Sequence, residues 1–129
     1  MAATAAVKNQ DVKEYRQTIQ SNYQKGTFAV DDADNHDFRV SAAGKGRFTV
    51  QVDNPSDKQI TVSVWGAPDS SAEVGDADVV QIGSNFLVAA SGCEYETVND
   101  PFPYYLFRLV AVTGGDGSTA TLYVHLSAF

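Results

Sequence analysis

The chain has 129 residues, the size of one domain, and its 43% hydrophobic content, with seven Phe, six Tyr and one Trp, is enough to fill a core and excludes a disordered polypeptide. Sixteen acids against nine bases give a formal charge of -7, which repels phosphate backbones and anionic headgroups, so neither nucleic acid nor a membrane is an expected partner. No apolar run approaches the roughly 20 residues that span a bilayer, and the single cysteine, Cys93, excludes an internal disulfide and a two-thiolate metal site.

Residues 1–9 lack the basic start and apolar stretch of a secretory signal, so the expectation is a protein made in the cytoplasm, or one whose signal has been removed. Met1 favours the first. Residues 1–26 read as a separate leading arm, with no Pro or Gly before Gly26. Val12, Tyr15, Ile19 and Tyr23 recur at steps of three and four, on one stripe of a helix. Asp11 and Glu14 have capping-box spacing and Gly26 suits a left-handed stop, which predicts an amphipathic helix over Val12–Lys25, with an extended arm as the alternative.

From residue 27 to 129 the period is two. Phe38, Val40 and Ala42 alternate with polar partners, as do Phe48, Val50 and Val52, and then Ile60, Val62 and Val64. Asn54-Pro55-Ser56-Asp57 between the last two sets has turn chemistry and predicts a hairpin. Short strands are predicted at 78–82, 85–90 and 94–98. Residues 104–112 are apolar on both faces except for Arg108, which predicts a central strand covered on both sides or one with a face turned to a partner. In 119–127, Ala120, Leu122, Val124 and Leu126 point inward and Thr119, Thr121, Tyr123 and His125 outward. The Gly-rich link 113–118 before it reads as a flexible hairpin loop. About eight strands with no helix between them predict an all-β antiparallel sandwich or jelly roll carrying an N-terminal helical or extended arm.

Candidate chemistry is sparse. The oxygens of Asp32, Asp34 and Asp37 are the best metal candidates, for a calcium-like cation. Counted from Asp32, however, the EF-hand Gly position is Asp37 and the bidentate Glu position is Ala43, so solvated loop acids are the favoured reading. Only His36 and His125 titrate near neutrality, and neither lies near Cys93 in sequence, so no catalytic residue and no enzyme activity is expected. Unpaired cysteines are among the most buried residues, which predicts a buried Cys93, with an interchain link as the alternative. Gly114-Gly115-Asp116-Gly117 has no Lys or helix start after it to hold a phosphate, and no cofactor is expected. Trp65, Tyr105 and Tyr123, with Tyr95 and Tyr104, are candidates for an aromatic surface that stacks on a glycan.

The charge is unevenly placed: residues 1–26 carry four bases against two acids, +2, and residues 27–129 carry five bases against fourteen acids, -9. Opposite potentials suit head-to-tail docking between copies, which closes into rings or runs on as filaments, although the same charges suit an arm packed on its own body.

Pro101-Phe102-Pro103-Tyr104-Tyr105-Leu106-Phe107-Arg108-Leu109-Val110, followed by Gly117-Ser118-Thr119-Ala120-Thr121-Leu122-Tyr123-Val124, is similar to the closing hairpin of small β-sandwich proteins of spore-forming bacteria, among them endospore appendage subunits. The resemblance implies a jelly-roll subunit whose N-terminal segment contacts a neighbour in a fibre, at an extracellular or particle surface. Those subunits have cysteine-rich connectors, whereas residues 1–26 contain no cysteine, so assembly here is non-covalent or uses Cys93.

The expected function is a structural, self-assembling subunit whose partners are copies of itself, with Val12, Tyr15, Ile19 and Tyr23 as the contact residues. The alternatives are a virion decoration or tail protein and a glycan- or calcium-binding module.

Overall fold

A computed structural model describes residues 11–12, 23–42 and 45–127. The elements are β1 (Asp11–Val12), β2 (Tyr23–Ala29), β3 (Asn35–Ser41), β4 (Arg47–Asn54), β5 (Ile60–Ala67), β6 (Val80–Val88), β7 (Gly92–Val98), β8 (Tyr104–Ala111) and β9 (Thr119–Ser127). They form two sheets, A in the order β1-β2-β9-β4-β7 and B in the order β3-β8-β5-β6.

The order has a simple origin. The chain doubles back at β5–β6, so that β4 pairs with β7, β3 with β8 and β2 with β9. Rolling this long ribbon brings β9 against β4 and β8 against β5. The result is a jelly roll, a double Greek key with consecutive strands mostly in opposite sheets. All these pairs are antiparallel, and only the short β1 runs parallel to its neighbour, β2.

Alternation in sequence becomes alternation in burial. Phe48, Val50 and Val52 of β4 are buried, as are Ala120, Leu122, Val124 and Leu126 of β9, facing Phe38, Val40, Ile60, Val62, Phe107 and Leu109 from sheet B. Each fully buried large apolar side chain contributes roughly 1.5–3 kcal/mol. Phe48 sits at the centre, its ring 4.3 Å from that of Tyr105 and 5.5 Å, edge-on, from that of Phe107.

β8 is the central strand that its two-faced apolar sequence predicts, and the cover on its outer face comes from the same chain. Segment 68–79 folds back so that Ala72 and Val79 bury Leu106, with Trp65, Val74 and Tyr104 around them. Arg39, buried on that face, donates from Nη2 to the Ala72 carbonyl at 2.7 Å and holds the flap down.

Several expectations need correction. The Asn54–Asp57 turn closes no hairpin: β4 lies in sheet A and β5 in sheet B, so it is an arch between layers. Buried Asn54 holds that arch, donating to the carbonyls of Lys58 at 2.7 Å and Ala89 at 3.1 Å and accepting from Ser56 N at 3.1 Å and Ser56 Oγ at 2.7 Å. The link 113–118 likewise crosses between sheets. It is pinned, with Gly117 N–H on the Val30 carbonyl, Val30 N–H on the Ser118 carbonyl and Asp116 N–H on Asp57 Oδ1. A Cβ on Gly115 would stand 2.2 Å from the Val30 carbonyl oxygen, so the close crossing requires glycine there. The strands expected at 78–82 and 85–90 are one bulged strand, β6, with its register shift opposite Val62 and Val64 and Gly83 at φ 69.

The helix expected over Val12–Lys25 is contradicted at its C-terminal end. Tyr23–Lys25 belong to β2, and Gly26, read as a helix stop, lies mid-strand opposite Leu122. A seven-residue ladder to β9 satisfies the backbone on that side and outweighs the local helical spacing. Val12 lies in β1, while Tyr15, Ile19 and the rest of 13–22 are outside the described residues.

Candidate functional site

Strand register writes the outer face of sheet A as rows of side chains. Because Leu122, Val124, Val50 and Val52 fill the core, their neighbours Tyr123, His125, Thr49, Gln51 and Asp53 point the other way. One row runs Lys25, Tyr123, Gln51, Tyr95 across β2, β9, β4 and β7. The row on one side holds His125, Thr49 and Thr97, and the row on the other holds Thr27, Thr121, Asp53 and Cys93. Thr49 and Thr97 share a hydroxyl hydrogen bond of 3.1 Å, and Gln51 Nε2 donates to Cys93 Sγ at 3.3 Å.

Gln51, Asp53, Cys93, Tyr123 and His125 line a shallow depression of about 420 Å³, inside the range of small-ligand sites. Its lining mixes an amide, a carboxylate, a thiol, a phenol and an imidazole, which suits hydrogen bonding to a polar ligand. Cys93 and His125 do not form a dyad. They sit two strands and four residues apart in register, about 16 Å between Cα atoms, far beyond hydrogen-bond reach.

Cys93 is exposed, against the expectation of burial, because edge strand β7 has solvent beyond sheet A's outer face. Tyr105 is no surface residue either: it is 0% exposed, and its hydroxyl donates to the Asp100 carbonyl at 2.7 Å and accepts from Phe102 N at 3.2 Å. Burial pushes its pKa up, with the charge of Asp100 acting the same way against the Phe102 hydrogen bond. Trp65 is half-buried on the outer face of sheet B, bonded from Nε1 to Ser63 Oγ at 2.9 Å, and Tyr123 lies on the opposite sheet, so the two make no common platform.

The acidic loop also disperses. Asp37 grips Arg108 in a bidentate pair, 2.8 Å at both contacts, on the outer face of sheet B. Asp32 accepts from Asp34 N at 2.9 Å and lies 3.7 Å from His36, whose ring stacks on Phe28 at 4.3 Å. Among the described residues no group of three His, Cys, Asp or Glu side chains is placed to hold a metal. Asp69 and Asp116 are held below the usual carboxylate range, Asp69 first by the Ser71 hydroxyl and Asp116 first by the Ser118 N–H, which are turn-closing bonds.

Of the aromatic candidates, Tyr123 alone lines the depression, beside Cys93 and His125, which the sequence offered for thiol chemistry. Tyr95, also an aromatic candidate, stands in the same row, whereas Gln51 and Asp53 were legible only as the polar half of an alternating strand, a signal that does not distinguish a binding face from a wetted one.

No family model matches the chain, and no curated protein does. Solved structures do. CorA, a surface-associated copper-binding protein of Methylomicrobium album BG8, aligns at TM-score 0.50 and 13% identity over 88% of this chain and 100% of that one. The IMPa metallopeptidase, solved in complex with T-antigen, aligns at TM-score 0.52 and 14% identity over 93% of this chain but 15% of that one. The SPBc2 prophage-derived protein YomS aligns at 0.49 and 15% identity over 86% of this chain and all of that one. At these identities the likeness is one of fold.

Proposed function

We propose that the protein is a structural subunit that assembles head to tail, the basic leading segment of one copy docking along the β7 edge of sheet A in the next. The observation that carries this reading is the character of β7. Its only strand neighbour among the described residues is β4, and it presents Glu94 and Glu96, both exposed, on the side of the sheet that carries Val50 and Val52.

An open edge offers backbone donors and acceptors to a new strand. Two β7 edges would bring four carboxylates together and repel, so this edge disfavours pairing with itself. A segment carrying Lys8, Lys13 and Arg16 has the opposite charge, which makes the contact heterologous. Tyr15 and Ile19 are the apolar anchors this contact would bury, while Val12 pairs with Gly26 in the sheet of its own chain. The same chemistry serves a cellular fibre and a virus particle, and a location at an extracellular or particle surface belongs to the same proposal.

The test is light scattering of the full chain across protein concentration and salt, beside a variant lacking residues 1–22. The reading predicts concentration-dependent assembly that weakens with salt, since screening shortens to about 8 Å at 0.15 M, and its loss on truncation. A monomer at every concentration in low salt, or unchanged assembly after truncation, overturns it.

A further inference from the structure

We infer that the outer face of sheet A binds a neutral oligosaccharide along the row Lys25, Tyr123, Gln51, Tyr95, a ligand contact separate from the β7 edge. Tyr123 and Tyr95 flank Gln51 in register, which sets their Cα atoms about 10 Å apart across three adjacent strands. Tyr95 is 69% exposed, the most exposed large hydrophobic side chain of the described residues, and it stands on a paired strand instead of a loop.

Two aromatic side chains standing on a rigid sheet offer apolar surface to the C–H faces of successive sugar rings, at low entropic cost because the backbone is fixed. Between and beside them lie the amide of Gln51, the carboxylate of Asp53 and the imidazole of His125, the mixture of donors and acceptors that vicinal hydroxyls require. The roughly 420 Å³ depression accommodates a ring there. Charge sets the class of sugar. Asp53 lines the depression and residues 27–129 carry -9, which repels uronates and sulfated glycans.

The experiment is 15N-edited NMR titration of the full chain with cellohexaose, xylohexaose, mannohexaose and chitohexaose up to about 5 mM, with an oligogalacturonate as the acidic arm. Shifts confined to the amides around Lys25, Gln51, Tyr95 and Tyr123 with a neutral glycan are expected. Tyr95→Ala, a change at an exposed position, should weaken binding at least about tenfold while leaving the melting temperature in place. No shift with any neutral probe, binding that survives both Tyr95→Ala and Tyr123→Ala, or tighter binding of the acidic glycan overturns the inference. Because Tyr95 stands on β7, the titration is run at a salt and protein concentration where light scattering shows a single species, which separates glycan shifts from those of assembly.

Discussion

Replacing Asn54 with alanine strikes the arch that carries the chain from sheet A to sheet B. Its side chain is fully buried and joins three segments: the end of β4, the 55–59 arch and the β6–β7 turn. In Asn54→Ala the Ser56 hydroxyl, released by the Asn54 oxygen, turns its proton to the Lys58 carbonyl 3.0 Å away, and the Ala89 carbonyl keeps Gly92 N–H at 3.0 Å. Buried Ser56 N–H loses the Asn54 oxygen that it bonds. One stranded donor costs about 1–3 kcal/mol and each of the two lost amide bonds about 1 kcal/mol, so the variant should lose about 3–5 kcal/mol, a large share of a typical domain's stability. Urea unfolding followed by Trp65 fluorescence measures it, with Gln59→Ala, an exposed change in the same arch, expected within about 0.5 kcal/mol of the parent. A loss below about 1 kcal/mol for Asn54→Ala would refute the arch as a tertiary fastener and return Asn54–Asp57 to an ordinary surface turn.

Gly115→Ala pushes a methyl group into the Val30 backbone and should cost about 1–3 kcal/mol in the same assay. Tyr105 holds its proton more tightly folded than unfolded, so the unfolded state ionises first and stability should fall as pH rises past about 10. In Tyr105→Phe that decline should lessen, as equilibrium unfolding between pH 8 and 11 would reveal. Exposed Cys93 should react with Ellman's reagent at one thiol per chain without denaturant, and a requirement for denaturant would contradict its position on β7.

What the sequence made legible follows from which interactions are local. The alternation in β4 and β9 is imposed by one buried face, so strand limits and inward residues could be read directly, down to the bounds of β9. The apolar run 104–112 announced a central strand covered on both sides or with one face turned to a partner, although not that segment 68–79 supplies the cover through Arg39 and Ala72. Pairing order was not legible. Asn54-Pro55-Ser56-Asp57 bends the chain equally well into a hairpin or an arch, and the choice is made by Asn54 reaching the distant Ala89. The leading stripe misled because three-and-four spacing is read from one segment alone, whereas the partner of Tyr23–Ala29 lies about a hundred residues away in β9. The depression was hidden for a related reason. Its residues come from three strands and acquire a common address only through register, and Cys93 escapes the usual burial of cysteine because it falls on an edge strand.

A charge swap read by sedimentation velocity decides whether a basic leader meets the acidic β7 edge of another copy. Glu94→Lys with Glu96→Lys should abolish assembly, reversing Lys8, Lys13 and Arg16 to Glu alone should do the same, and mixing or combining the two reversals should restore it. If the edge variant assembles like the parent, or the paired reversals fail to recover assembly while each folded variant unfolds normally in urea, the leader does not dock on the β7 edge.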